Sequence, residues 1–475
     1  MTETARLIYR GQAWPIYLPA DAPQTARLAA EELQGYLRRI SDRVMPIVDD
    51  LPDPTAPCIE LLYEEGVSDG FVREVRADRV RLIGRSPRGL LNAVYDLLEE
   101  LGCRWYYPGI QGERVPRQTN VALPVGIKDE DPFLPGRILI LGHEQYLRNA
   151  LEWIEWASRN RLTGLFFHPW PPRSWGGRYE KLWRQVSAEA IRELRRRGMS
   201  VEYGGHLLAG LLPRWRFWRQ REMYRFDGER RTPDYNLCPS SAEALELIRE
   251  RARKLFESYP VDVFHIWADD IEGGGWCSCP ECEGQSASDQ SLKVINEIAD
   301  VLHEVQPQAK LSFLAYHDTA AAPVTIKPRP NVVLLYAPRE RCYAHALDDP
   351  GCALNRKYMR TLEQQVAWFK DSGWPEHEVF EYYMDGILFK SLAPPLANLL
   401  PADLRAYRER GCHQVGAIIT ADRPWLTPPV NAFLFARLAW NPRLDTRELL
   451  QDYATGYYGG PAEVLATYQH YLELA

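Results

Sequence analysis

Between residues 130 and 420 the chain alternates short apolar runs with amphipathic stretches, and the alternation can be counted. Runs at 138–141, 164–167, 200–203, 261–267, 310–315, 332–336, 378–383 and 414–420 have the length and the β-branched or aromatic make-up of buried strands. Stretches at 145–160, 179–197, 242–259, 288–305, 358–372 and 402–410 carry the apolar spacing of helices lying on a core. Continuously apolar strands separated by helices belong to parallel sheets covered on both faces. Eight of them predict an α/β fold, a closed (β/α)8 barrel. One link breaks the pattern: residues 320–330, AAAPVTIKPRP, are too short and Pro-rich for a proper helix. The segment 206–240 after the third strand is long and rich in Trp and Arg, which predicts a loop shaping a ligand site.

Residues 1–128 read as a small α/β N-terminal domain. Strands are expected at 5–9, 59–63 and 80–84, and helices at 23–41 and 89–101, the second opened by Ser86-Pro87. The barrel is expected over 129–428, with residues 429–475 forming helices that pack on it. At 475 residues the chain exceeds one ordinary core, in keeping with this division.

Composition narrows the function. A net charge of −7 argues against a general nucleic-acid surface or a polybasic membrane surface. No apolar run approaches the roughly 20 residues that span a bilayer. The opening residues, MTETARLIYRGQAWP, lack a secretory-signal pattern, so a cytoplasmic location is expected. Fifteen Trp and 25 Tyr, many at strand ends or in loops, fit either an aromatic-rich core or platforms for sugar rings. The aromatic-rich helices could equally face the N-terminal domain or a second copy in a homo-oligomer.

The fourth predicted strand ends on two adjacent carboxylates, Asp269 and Asp270, followed by Glu272 and a triple glycine. In a barrel, residues at the C-terminal strand ends converge on one mouth. Those ends supply His143 with Glu144, His168, His206, Trp267, Tyr316 with His317 and Asp318, Arg339 with Glu340, Tyr382 with Asp385, and Asp422 with Arg423. Crowded carboxylates raise the pKa of one member, which suits a general acid. Asp270 is the candidate acid, Asp269 the group that positions substrate or activates water, and His206, behind two glycines, the alternative base. The other ends are candidate substrate contacts, Arg339 and Arg423 as grips for a carboxylate.

Nine cysteines is an odd count, and most stand singly in apolar runs, as small core residues do. Cys277, Cys279 and Cys282 differ, forming C-x-C-x2-C just after the acids. With Cys238 as a fourth ligand they could hold a structural zinc; reduced thiols pinning a loop are the alternative. No cofactor is expected for catalysis.

The stretch His265-Ile266-Trp267-Ala268-Asp269-Asp270 resembles the His-x-Gly-Gly-Asp-Glu motif of family-20 β-N-acetylhexosaminidases, with Asp270 where those enzymes carry Glu and with neither glycine present. The resemblance implies that Asp269 orients the substrate and Asp270 is the general acid. TARLAAEELQGYL and SPRGLLNAVYDLLEELGCRWYYPG are similar to the α/β domain ahead of the barrel in family-67 α-glucuronidases and family-20 enzymes. Together with the Gly204-Gly205-His206 turn and the WCSCPEC loop, they resemble a group of bacterial glycosidase-like proteins. Related barrel enzymes include sialidases, whose His/Asp pair and arginines His206, Asp269 or Asp270, Arg339 and Arg423 could supply. The expectation is an exo-acting glycoside hydrolase that releases a terminal sialic or uronic acid from a glycan. A β-N-acetylhexosaminidase is the first alternative. A barrel that binds carbohydrate without cleaving it, and a zinc-dependent hydrolase, stay open beside it.

Overall fold

The structure, a computed structural model, describes residues 3–50, 53, 55–169, 178–370, 377–390, 394–420, 430–461, 463, 464, 467 and 471. Eight parallel strands close into a barrel in chain order: Gly136–Gly142, Gly164–His168, Ser200–Gly205, Val263–Ile266, Lys310–Ala315, Val332–Tyr336, His377–Asp385 and Cys412–Thr420. The eighth pairs with the first from Gly136↔Gln414 onward. Every predicted barrel strand is present; the first, second, third, seventh and eighth are longer than predicted by one to three residues and the fourth is shorter.

Side-chain alternation explains the unbroken apolar letters. Ile138 and Ile140 join Phe166, Trp267, Phe380 and Ile418 in a cluster inside the barrel. Their neighbours Leu139 and Leu141 belong, with Leu165 and Phe167, to the larger core under the helices. Helices Arg178–Arg196, Ala242–Ser258, Ala287–Val305, Ala353–Phe369 and Leu399–Glu409 cover the outside. Ser241 and Ser286 cap two of them by accepting from the backbone N–H of Ala244 and Asp289. The predicted helix at 145–160 is two helices, Glu144–Arg148 and Ala150–Arg159, because Asn149 between them leaves helical geometry (φ −109°, ψ 29°). After the fifth strand the link holds only a single turn, His317–Thr319, as its prolines predict.

The N-terminal part forms a mixed six-stranded sheet, in the order Gly126–Glu130, Phe71–Val75, Arg79–Gly84, Cys58–Tyr63, Ile16–Tyr17, Ile47–Val48. Helices Gln24–Ser41 and Pro87–Glu100 accompany it, the second capped by Ser86, whose Oγ accepts from Gly89 N at 3.0 Å. The strands at 71–75 and 126–130 escape sequence reading, since FVREV and GIKDE carry charge on a half-solvated face.

Buried ion pairs bolt this sheet to the N-terminal end of the barrel. Arg137, at the start of the first barrel strand and fully buried, donates to Asp69 at 2.6 Å and to the carbonyl of Arg161. Arg88 reaches the same carboxylate at 3.1 Å. Burial alone would raise the Asp69 pKa, but the two guanidiniums hold it below the ordinary value. After the barrel, helix Val430–Trp440 packs against the seventh and eighth strands, Asn431 donating to the carbonyl of Tyr383, and helix Thr446–Tyr458 packs on that helix and meets Arg104 and Tyr106 through Asp452. Among the described residues no helix is long and apolar enough to cross a membrane.

Candidate active site at the barrel mouth

A cavity of about 320 Å³ opens at the C-terminal mouth, and its lining comes from the second to the eighth strands. His168, His206, Trp267, Asp270, Tyr316, His317, Arg339, Tyr382 and Asp385 all line it. Nine residues named from the sequence therefore meet in one place. Leu314, Phe380, Ile387, Ile418 and Thr420 complete the wall; sequence reading passed over them because they are inward positions of strands or plain loop residues.

Of the two adjacent aspartates, Asp270 is the one that lines the cavity. His317 Nε2 lies 3.9 Å from its Oδ1, and burial together with the Asp270 charge raises the Tyr316 pKa. The His317 ring packs on Tyr316, with centroids 3.7 Å apart. His317 itself sits at φ +49°, a conformation that costs a non-glycine residue about 1–3 kcal/mol and that collects at functional sites. Asp385, at the end of the seventh strand, is buried and accepts from Thr420 Oγ1 at 2.5 Å, from Ile387 N at 2.9 Å and from Arg339 Nε at 3.3 Å. Arg339 also donates through Nη1 to the half-exposed Glu340 at 2.9 Å. Glu340 thus supports the arginine from outside the cavity.

Two of the three histidines of the cavity wall, His206 and His168, have their pKa lowered by burial. His206 Nδ1–H donates to the Ala268 carbonyl at 2.6 Å, which leaves Nε2 with its lone pair. Burial lowers its pKa against the pull of Asp270. His168 Nδ1–H donates to the Gly204 carbonyl at 3.1 Å, and burial lowers its pKa to about 3. The glycines ahead of His206 make this packing possible. Gly204 has φ +133°, and a Cβ there would stand 1.9 Å from the carbonyl oxygen of His265; one on Gly205 would meet the His168 ring at 2.6 Å.

Below the cavity a file of polar groups runs down the barrel interior. Gln414 donates to Glu202 Oε1 at 2.9 Å, and Glu202 Oε2 lies 3.1 Å from His265 Nε2. His265 Nδ1 is 2.7 Å from Ser312 Oγ, which accepts from Trp267 Nε1 at 2.8 Å. Burial raises the Glu202 pKa to about 8 and lowers that of His265. A neutral Glu202 then donates to Nε2, and His265 Nδ1–H donates to Ser312. The file fixes Trp267, whose ring packs against His168 and His206 in the cavity floor. A lone Glu inside the apolar run Ser200–Tyr203 was the available signal for it.

The remaining named residues lie elsewhere. Asp269 turns out of the cavity: Arg214 donates to its Oδ2 at 2.9 Å, and its backbone N–H donates to Asn236 Oδ1 at 2.9 Å. His143, at φ +71°, is buried beside His168 and opposes its protonation. Arg423 falls outside the described residues. Asp318 points away from the cavity and accepts from Gly273 N, Gly274 N and Trp276 Nε1 at 2.9–3.0 Å, pinning the glycine loop after Asp270. Cys238, Cys277, Cys279 and Cys282 come together in the wall of the mouth, apart from the cavity lining.

The architecture defines a (β/α)8 barrel with a polar, aromatic-walled cavity at the mouth, where barrels of this kind carry their chemistry. Residues 108–470 match the family model described as "Domain of unknown function (DUF4838)", and the chain belongs to that family. No curated protein matches it in sequence. Solved structures resemble it in fold at low identity. A family GH115 4-O-methyl-α-glucuronidase with specificity for decorated arabinogalactans superposes with a TM-score of 0.63 at 12% identity, over 99% of this chain and 62% of its own. A GH138 enzyme targeting pectin rhamnogalacturonan II gives 0.62 at 11%, over 97% and 55%. The β-N-acetylhexosaminidase from Bacteroides fragilis NCTC 9343 gives 0.62 at 14%, over 97% and 93%. This chain thus spans little more than half the length of the first two.

Proposed function

We propose that the protein is an exo-acting glycoside hydrolase that removes a terminal acidic sugar, a uronic or sialic acid, from a glycan. The observation that carries the reading is the cavity itself, which gathers Asp270, a neutral His206, Arg339 and Asp385 between the rings of Trp267, Tyr316 and Tyr382. At about 320 Å³ it lies at the small end of ligand pockets, a size for one sugar ring rather than a chain.

In this reading Asp270 gives its proton to the glycosidic oxygen as the bond to the anomeric carbon breaks, and a water adds to that carbon. His206 Nε2, which holds a lone pair, takes the proton of the water. Asp385, steadied by three donors, binds sugar hydroxyls. Arg339 has Nε and Nη1 engaged by Asp385 and Glu340, and offers Nη2 to the sugar carboxylate. Asp269, the group that would orient an acetamido substituent, is tied to Arg214 outside the cavity lining, which favours the acidic sugar over an N-acetylhexosamine. Fold likeness to a 4-O-methyl-α-glucuronidase supports the uronic acid among the two acidic sugars. A glycan is the partner this reading requires.

The test is a turnover screen on chromogenic glycosides of glucuronic, galacturonic and sialic acids, GlcNAc and GalNAc, with the parent protein and Asp270→Asn. Turnover of one acidic sugar, reduced at least ~10²-fold by the substitution, is expected. Turnover of an N-acetyl sugar alone would replace the substrate with a hexosamine. Binding of these sugars with no turnover would make the barrel a carbohydrate-binding protein.

A further inference from the structure

Cys238 closes the long loop after the third barrel strand, and Cys277, Cys279 and Cys282 sit on the loop that follows Asp270. All four are at most 3% exposed, and their sulfurs lie within 4.8 Å of one another. Cys238 Sγ is 3.7 Å from Cys279 Sγ and 3.8 Å from Cys282 Sγ. These separations are far above the ~2.05 Å of a disulfide. They match the edge of a tetrahedron: four thiolates each ~2.3 Å from a zinc ion stand about 3.8 Å apart.

The surroundings suit a charged centre. Phe226 N–H donates to Cys277 Sγ at 3.3 Å, Arg231 Nη1 lies 3.6 Å from the same sulfur, and Ser240 Oγ lies 3.3 Å from Cys282 Sγ. Donors of this kind spread the net negative charge that four thiolates leave around a divalent ion. Gln290, on the helix Ala287–Val305, grips the backbone of Cys277 on both sides, accepting from its N–H at 3.0 Å and donating to its carbonyl at 2.9 Å. Cys277 is thereby set in place from outside the cluster.

We propose that Cys238, Cys277, Cys279 and Cys282 bind one zinc ion, releasing their thiol protons to solvent, and that the ion is structural. A shell closed by four thiolates keeps no position open for water or substrate. Its effect on the mouth is indirect. The loop that ends in Cys238 also carries Arg214 and Asn236, which hold the side chain and backbone of Asp269; the other three ligands follow Asp270 directly. The ion therefore fixes the acid-bearing end of the fourth strand from two sides. This does not depend on which sugar, if any, is cut, because the test reads metal rather than turnover.

The experiment is metal analysis of protein purified without chelator from zinc-supplemented medium, with one zinc per chain expected. A mercurial that blocks thiols should release that zinc in step with modification of four cysteines. Protein loaded with cobalt should show thiolate-to-metal charge-transfer absorption. Cys279→Ser and Cys282→Ser should each weaken zinc retention by more than the roughly tenfold that follows loss of an outer partner, while Cys58→Ala, far from the cluster in the N-terminal sheet, should retain the ion. If the ligand variants fail to fold, the parent measurements decide. A parent chain without zinc, or with iron in its place, or zinc that leaves on Cys58→Ala, would overturn the assignment.

Discussion

Arg214 holds the Asp269 carboxylate at 2.9 Å, while the adjacent Asp270 lines the mouth cavity with His317 3.9 Å away. Neighbouring residues on an extended backbone point to opposite sides, and here the two sides have different surroundings.

On the proposed mechanism Asp270→Asn is expected to cut kcat by at least ~10²-fold with little change in melting temperature, since the group proposed as general acid is lost and its nearest cation-forming neighbour, His317, stands 3.9 Å away. Asp269→Asn should lower turnover far less and destabilise the loop after the third strand. Steady-state kinetics beside thermal melts distinguish the two; equal kinetic losses would remove the division of labour.

Asp318→Ala removes the acceptor for Gly273 N–H, Gly274 N–H and the Trp276 indole. A misplaced acid loses rate steeply with distance. The expected result is a fall in kcat/KM of about ten- to a hundredfold with a small change in global stability. An unchanged kcat/KM would show that the glycine loop plays no part in placing Asp270.

The barrel interior sets opposite pH dependences. His168 titrates at about 3 instead of the ordinary 6.5, so the unfolded chain binds more protons between those values. Stability from this group is complete above about pH 6.5 and is lost as pH falls toward 3, by up to about 1.4 kcal/mol per pH unit. Glu202, raised from 4.5 to about 8, keeps a proton that the unfolded chain releases. Its contribution is complete below pH 4.5 and is lost as pH rises through about 8. Glu202→Gln, which can still donate to His265 and accept from Gln414, should be more stable than the parent above pH 8 with an unaltered acid limb. Urea denaturation across pH 5–9 checks this, and a variant that destabilises uniformly would contradict it.

Asp69→Asn leaves two buried guanidiniums, of Arg88 and Arg137, without their shared anion. Breaking a buried pair from one side costs about 3–5 kcal/mol. Chemical denaturation should show a loss of that size, and the N-terminal sheet should exchange amide hydrogens faster.

The barrel was legible in the sequence because each strand is buried on both faces and reads as an unbroken apolar run, and nine of the mouth residues followed from where those runs stop. Asp269 was not legible as an outward residue, since nothing in two consecutive aspartates says which one meets Arg214, a residue 55 positions earlier. The Glu202–His265–Ser312–Trp267 file depends on register between neighbouring strands, His265 standing opposite Ser312. Periodicity along one strand carries no such information. The strands at 71–75 and 126–130, the second of them at the sheet edge, were hidden by their charged residues.

The close approach at Gly204 carries a consequence for inheritance. With 1.9 Å between a would-be Cβ and the His265 carbonyl, that site tolerates one amino acid of the twenty. A chain descended from this one that keeps the glycine still seats its third and fourth strands in this way, whatever its mouth has come to hold. One that has lost it must have rebuilt the mouth.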